Sequence, residues 1–115
     1  MKLIIDRKIW FRGTTSRLLA EDGRRCCVGI YCAALGVPDE AIRNGRTVDE
    51  LDKQEDVDSI KRLAPWLSGV DIGGNYLNAE KLYLTNDAAN ISERKREQLI
   101  SRTFADNGVE VEFVG

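Results

Sequence analysis

The stretch from Arg24 to Gly36 constrains the fold of this chain more than any other. It reads Arg-Arg-Cys-Cys-Val-Gly-Ile-Tyr-Cys-Ala-Ala-Leu-Gly and is the most apolar run in a sequence of which 31% is charged. Apolar side chains occupy every face of a helix over 26–35, and Gly36 stands where a C-terminal cap belongs. Because such a helix must be covered on most sides, the pattern predicts a buried central helix with other elements packed around it.

The two ends of the chain predict strands that pair with each other. An apolar, β-branched run predicts a strand over 2–5. Residues 109–114 alternate apolar residues with glutamates, which predicts a half-buried strand with Val109, Val111 and Phe113 facing inward. The segment 17–21 reads as extended and leaves a third strand open.

The remaining patterns are mostly helical. After the central helix, Pro38 begins a short helix that ends at Asn44-Gly45, and Thr47 with Glu50 resembles a capping box. Helical spacing predicts a helix over 57–67 that Pro65 bends or closes, followed by a loop over 69–75. Residues 78–84 fit either a helix or a strand, with the helix favoured. A helix over 91–106 is predicted to turn Leu99, Ile100 and Phe104 inward and Arg94, Lys95, Arg96 and Glu97 outward.

Together these elements predict an α+β fold: a small sheet of two or three strands, with the N- and C-terminal strands paired, covered by four to six helices. The 115 residues suit a single globular domain over 1–115, and the 43% apolar content supports a folded core. No apolar run approaches the ~18 residues of a membrane span, so no membrane association is expected. Charge returns after three apolar residues at the N-terminus, so no signal peptide is predicted and a cytoplasmic location is expected.

Charge is distributed unevenly along the chain. The net charge is −2, yet residues 1–25 hold seven Lys or Arg against three Asp or Glu, whereas residues 39–58 hold three against eight. The acidic stretch and the pI of about 5.2 disfavour binding to nucleic acid phosphate and therefore argue against nucleic acid as a partner. The basic first quarter keeps nucleic-acid association open as an alternative function.

The cysteines favour packing over chemistry. Cys26, Cys27 and Cys32 lie on the predicted buried helix, and free cysteine is among the most buried residue types. The sequence has no histidine, which excludes Cys–His and Ser–His–Asp hydrolysis. Three clustered cysteines also lack the second pair of ligands that a structural zinc site needs. We therefore predict no catalytic residues, no cofactor and no metal, although a redox thiol beside Arg24 and Arg25 stays open.

A few side chains are candidates for binding. Trp10, Phe11 and Arg12 fit a stacking patch for nucleic acid, but a core tryptophan beside the first strand is the favoured interpretation. Asn86 and Asp87 fit turn and cap chemistry. The full set of candidate binding residues is Trp10, Phe11, Arg12, Arg24, Arg25, Asn86 and Asp87.

Four segments carry a resemblance to a known group of proteins. They are Ile5–Gly13, the run Cys26-Cys27-Val28-Gly29, the run Leu84-Thr85-Asn86-Asp87, and Phe104–Val114. In these segments the chain resembles a set of small uncharacterised proteins of bacteriophages and prophages, in which leucine is more usual at the position of Val28. The resemblance implies a small intracellular accessory protein of mobile DNA, with no catalytic residues to carry over.

These observations predict a non-enzymatic phage or prophage accessory protein that acts through protein–protein contact. Its partner is an unknown protein, encoded by the host if it acts on host machinery, and the sequence leaves its oligomeric state open. The alternatives are a nucleic-acid-associated protein that uses the basic first quarter, and a thiol-dependent enzyme or redox sensor.

Overall fold

The first and last elements of the chain form a parallel, two-stranded sheet. The computed structural model describes residues 1–68 and 78–115. In it, strand β1 (Lys2–Asp6) pairs with strand β2 (Glu110–Val114), and Lys2 lies opposite Glu110 in the register. The predicted pairing of the two terminal strands is therefore confirmed.

The sheet has one apolar and one largely charged face. Leu3 lies opposite Val111 and Ile5 lies opposite Phe113, so these four side chains share the face that packs on the core. On the other face the exposed Lys2 forms an ion pair with Glu112. A slip of one residue would bury glutamates, so the alternation in β2 specifies the register.

Five α-helices lie between the two strands in the described ranges, which confirms the α+β class. They are α1 (Cys27–Ala34), α2 (Asp39–Ile42), α3 (Gln54–Leu63), α4 (Asn78–Asp87) and α5 (Glu93–Ala105). A short 3-10 turn, Val48–Glu50, connects α2 to α3, and a second one, Pro65–Ser68, follows α3. The region 78–84, for which helix was favoured over strand, is part of α4.

Helix α1 is the centre of the core, as its apolar composition predicts. It packs against β1 and α4, and its residues 27–32 are buried. The backbone of Leu18 passes so close to the helix that a Cβ atom at Gly29 would lie 1.9 Å from the Leu18 carbonyl oxygen. Glycine at this position is therefore required by the close approach of the two backbones. Gly36 ends the helix with a φ of 88°, the left-handed conformation typical of a glycine cap.

An aromatic cluster fastens the second 3-10 turn to the core. The rings of Tyr31, Trp66 and Phe104 lie with centroids 5.3–5.6 Å apart, two of the three pairs edge to face. The Trp66 indole also donates a hydrogen bond to the Tyr31 hydroxyl oxygen at 3.3 Å. These contacts connect α1, α5 and the turn after α3.

Several predicted boundaries differ from the structure. The segment 17–21 adds no third strand, because Leu19 forms only an isolated bridge with Arg43. Helix α3 begins and ends earlier than the predicted 57–67, since Pro65 cannot continue it and starts a 3-10 turn instead. Thr47 precedes a 3-10 turn without a side-chain cap hydrogen bond, so the predicted capping box does not form. The predicted loop 69–75 lies outside the described residues.

Helix α5 follows its prediction at both ends but not along its whole length. Ser92 caps it by accepting a hydrogen bond from the Lys95 backbone N–H at 3.1 Å, and Gly108 leads into β2 with a φ of 82°. Ile100 and Phe104 are buried as predicted, whereas Leu99, also predicted to face inward, is only half-buried. Arg96, predicted to face outward, is buried instead, because it binds carbonyl oxygens at the C-terminal end of α4.

Candidate functional site

Asn86, in the last turn of α4, is the centre of a buried hydrogen-bond network. Its side-chain oxygen accepts hydrogen bonds from the Trp10 indole N–H at 2.8 Å and from the Cys27 backbone N–H at 3.1 Å. Its side-chain nitrogen donates to the Phe11 carbonyl at 2.9 Å and to Asp87 Oδ1 at 3.2 Å. The amide thus makes two bonds as acceptor and two as donor, which is its full capacity. We infer that Asn86 joins α1 and α4 to residues 7–12, which follow β1 and which we call the N-terminal segment.

Asp87 extends this network to a further loop. Its two oxygens accept hydrogen bonds from the backbone N–H and the hydroxyl of the buried Ser16, at 3.0 and 2.6 Å. The backbone oxygen of Asn86 accepts from the Gly13 N–H at 2.8 Å. Asn86 and Asp87 therefore hold the loop 13–16 against the C-terminal end of α4, a larger role than the local turn chemistry predicted for them.

Arg96 completes the network from α5. Its Nη1 donates to the carbonyl oxygens of Thr85 and Asn86 at 2.8 and 2.9 Å, and its Nε donates to Glu93 at 3.1 Å. Carbonyl groups at a helix C-terminus lack partners within the helix, and a cation there also interacts favourably with the helix dipole. These bonds explain why Arg96 is buried. The sequence did hold a signal, because Arg96 lies four and eight residues before Ile100 and Phe104, on the same helical stripe.

Trp10 and Arg12 also make contacts that hold the fold together, which we call the framework of the molecule. Trp10 is 1% exposed, which confirms the core interpretation of this residue. The Arg12 guanidinium lies 4.4 Å from the Trp10 ring centroid, donates to the carbonyl oxygens of Arg7 and Trp10, and forms an ion pair with Glu93. A ligand that stacked on Trp10 would have to displace this arginine.

Arg24 and Arg25 run beside the N-terminal segment. The Phe11 backbone N–H donates to the Arg25 carbonyl at 2.7 Å, and the Arg24 guanidinium lies 4.9 Å from the Phe11 ring centroid. Arg24 also pairs with Asp22, and Arg25 pairs with Asp39 at 2.8 Å. The structure thus brings all seven candidate binding residues into connected segments. Their contacts are with one another and with the framework, and their binding role stays a prediction.

The three cysteine thiols are buried and free, as the sequence indicates. Burial raises the pKa of Cys26 to about 11 and the pKa of Cys32 to about 12, and it raises the pKa of Cys27 well above its ordinary value. The charge of Arg25 lowers the pKa of Cys32, but desolvation outweighs it. The thiols therefore stay protonated near neutral pH, unlike the reactive thiolate of a redox or nucleophilic cysteine.

A groove lies between the first 3-10 turn and α4, and sequence reasoning missed it. We call it the acid-rimmed groove. Its volume is about 430 Å³. Its apolar and aromatic lining comes from Ala79, Tyr83 and Leu84, and four carboxylates line it as well, with Thr47 beside them: Asp49, Glu50, Glu80 and Asp87. No local sequence pattern signals it, because its two sides, residues 47–50 and α4, are about thirty residues apart in the chain.

Tyr83 fixes the two sides of the acid-rimmed groove to each other. Its hydroxyl oxygen accepts a hydrogen bond from the Val48 backbone N–H at 3.1 Å. Burial raises the pKa of Tyr83 well above its ordinary value, so the phenol stays neutral. Ala79 and Tyr83 both pack against the core, whereas Leu84 is 65% exposed. The groove is therefore a preformed surface with an unburied apolar side chain.

A second, basic cleft lies between α5 and β2. It has a volume of about 830 Å³, and its cationic lining residues are Arg7, Arg94 and Arg102. The Arg7 guanidinium forms two hydrogen bonds with Glu97, at 2.8 and 2.9 Å, and lies 5.8 Å from the Phe113 ring centroid. One of the three cations is therefore neutralised within the cleft.

Neither a metal centre nor a membrane helix occurs in the described ranges. Residues 1–68 and 78–115 contain no group of three His, Cys, Asp or Glu residues able to hold a metal ion. Within the same ranges, no helix combines the length and apolarity needed to cross a membrane.

Comparison with known protein families, with characterised proteins and with solved structures finds no match to this chain. The resemblance to phage and prophage proteins therefore stays a prediction. The geometry of the grooves and of the Asn86 network carries the functional proposal.

Proposed function

We propose that this chain is a non-enzymatic binding protein that acts through contact with another protein, and that the acid-rimmed groove is its contact surface. The observation that carries the proposal is the exposure of Leu84 beside the core-packed Ala79 and Tyr83. Leu84 is the most exposed large apolar side chain of the described residues, and its place in a groove beside Ala79 and Tyr83 distinguishes it from a lone surface leucine.

The chemistry of the buried groups supports binding over catalysis. The thiols are held protonated by burial, and the sequence supplies no histidine to act as their base. Asn86, Asp87 and Arg96 are fully engaged with the framework. The thiols and the Asn86–Asp87–Arg96 network are thus used to hold the fold.

The finer form of the proposal comes from the sequence resemblance. On that basis the protein is an accessory protein of a phage or prophage, works in the cytoplasm, and contacts a component of the bacterial host. The accessible acidic surface fits a protein partner better than it fits nucleic acid.

Nucleic-acid association is the second candidate, and the basic cleft favours it. Arg94 and Arg102 are exposed there, close to the aromatic ring of Phe113. Against it stand the Arg7–Glu97 pair inside the cleft and the net charge of −2. We rank this function below protein binding.

Capture from a bacterial lysate tests the proposal. Wild type, Leu84→Asp and Leu63→Asp are immobilised and compared. Leu63 is the matched control, because it is a helical leucine that is 52% exposed but lies outside the groove. We expect a protein that wild type and Leu63→Asp retain equally and that Leu84→Asp loses at least ten-fold.

Two results would contradict this proposal. Equal retention by both variants would mean that the groove is not the contact surface. Loss of the captured protein after nuclease treatment of the lysate would favour the nucleic-acid function instead. Circular dichroism of both variants checks that each substitution leaves the fold intact.

A further inference from the structure

We propose that the acid-rimmed groove takes a cationic, amphipathic segment of a partner protein, with an apolar side chain on Leu84 and Lys or Arg residues on either side of it. This inference rests on the proposed function and adds the chemistry of the partner.

The charges that line the groove are of one sign. Its four carboxylates face no lysine or arginine among the described lining residues. Asp49 pairs with Lys61 at 3.1 Å, but both side chains are more than a third exposed, and such surface pairs are weak and easily exchanged. In the described part of the chain, Glu50 and Glu80 form no ion pair. The Asp87 carboxylate already accepts hydrogen bonds from Ser16 and Asn86. A cationic partner would therefore pair mainly with Glu50 and Glu80.

The acidic surface continues past the groove. Glu50 also lines an adjoining cleft of about 280 Å³, which contains three further carboxylates and two cations. Asp56 connects that cleft to a third one, lined by Glu55, Asp58 and Arg62 among others. A partner segment longer than one helical turn would thus meet further negative charge along its path.

The apolar lining supplies the anchor. Ala79 and Tyr83 are four residues apart on α4 and share one side of that helix, whereas Leu84 lies about 100° further around it, above Glu80. Burial of an apolar side chain against Leu84 supplies affinity, whereas the surrounding carboxylates increase the association rate and select the sign of the partner's charge. A partner segment with one apolar side chain between Lys or Arg residues would contact both Leu84 and the carboxylates.

Selection from a displayed library of random short peptides tests this proposal. Peptides are selected on immobilised wild-type protein and counter-selected on Leu84→Asp. We expect the enriched peptides to carry net positive charge around an apolar residue. Their affinity should fall at least ten-fold with Leu84→Asp and should weaken as salt is raised.

Charge-neutralising variants make the test specific. Glu50→Gln and Glu80→Gln should each weaken an enriched peptide about three-fold, and roughly ten-fold together. Glu110→Gln is the control, because Glu110 is an exposed glutamate of β2 that lines neither the groove nor the adjoining acidic clefts, and it should leave the affinity unchanged.

The other outcomes separate this inference from the proposed function. Neutral or acidic peptides that depend on Leu84 would overturn the cationic partner and leave the groove as a protein-binding site. Enrichment of no peptide that depends on Leu84 would overturn both. Salt-sensitive self-association in sedimentation velocity, lost in Leu84→Asp, would make the occupant a second copy of this chain and would overturn the separate partner.

Discussion

A carboxamide in a protein core is favourable only when its hydrogen-bonding positions are used, and Asn86 meets that condition. Three of its four partners, Trp10, Phe11 and Cys27, lie more than fifty residues away in the sequence. Without it, the Trp10 indole N–H and the Cys27 backbone N–H would be buried donors with no partner, and the partly buried Phe11 carbonyl would lose its hydrogen bond. Asn86 therefore contributes to stability through two distant segments at once, residues 10–11 and the start of α1.

We predict that Asn86→Ala lowers the free energy of unfolding by about 2–4 kcal/mol, because it leaves buried donors and an acceptor without partners. Denaturant unfolding measures the loss. Asn90→Ala is the control, since Asn90 is exposed, and it should change stability by less than about 0.5 kcal/mol. A small effect of Asn86→Ala would contradict the role of the network.

The buried thiols predict a dependence of stability on pH. In the unfolded chain they titrate near their ordinary pKa of 9.0, whereas burial raises the pKa of Cys26 to about 11 and of Cys32 to about 12. As pH rises above 9, the unfolded chain loses protons that the folded chain keeps, so ionisation favours unfolding.

The free energy of unfolding should therefore fall from about pH 9 toward pH 11, by at most roughly 1.4 kcal/mol per pH unit for each thiol. The measurement is denaturant unfolding across this range for wild type and for Cys26→Ala. The variant should have a shallower slope, whatever its stability at neutral pH. Equal slopes would mean that the Cys26 thiol titrates alike in both states.

At the scale of the elements, the sequence patterns correctly predicted those features that depend only on residues close together in the chain. The uniform apolarity of α1 and the alternation in β2 each specify one element and one buried face. The pairing of β1 with β2 followed from the need of a terminal strand for a neighbour. Boundaries were less accurate, as at α3, where the residues before Val57 are polar and yet extend the helix.

Other parts of the fold depend on distant contacts that the sequence does not display. Arg96 was predicted to face outward because arginine is usually exposed, but the free carbonyls at the end of α4 bind it. The gathering of the candidate binding residues around Asn86 likewise depends on how α1, α4 and the N-terminal segment pack. The acid-rimmed groove forms only when the 3-10 turn meets α4 through Tyr83.

The strand β2 gives a test at the element scale. The Phe113 ring lies 5.2 Å from the Trp10 ring centroid and is half-buried, whereas Glu112 is exposed beside Lys2. Phe113→Ala should lower the free energy of unfolding by about 2 kcal/mol, below the cost for a fully buried ring. Glu112→Ala should cost less than about 0.5 kcal/mol. Equal losses in denaturant unfolding would mean that the inward face of β2 is misassigned.

At the scale of the whole molecule, the described structure separates the framework from the accessible surface. Asn86, Arg96 and the thiols hold the core together, and the acid-rimmed groove presents Leu84 and the carboxylates of the acidic stretch. The basic cleft between α5 and β2 carries charge of the opposite sign. This charge distribution favours a partner selected by the sign of its charge.

Site-specific photo-crosslinking tests the central claim most directly. A benzoylphenylalanine is placed at position 84, and for comparison at the exposed positions 63 and 9, in protein produced in bacterial cells. If the acid-rimmed groove is the contact surface, illumination should yield a discrete adduct with another protein from position 84 and none from the two comparison positions. No adduct from position 84, or the same adducts from all three positions, would contradict the account.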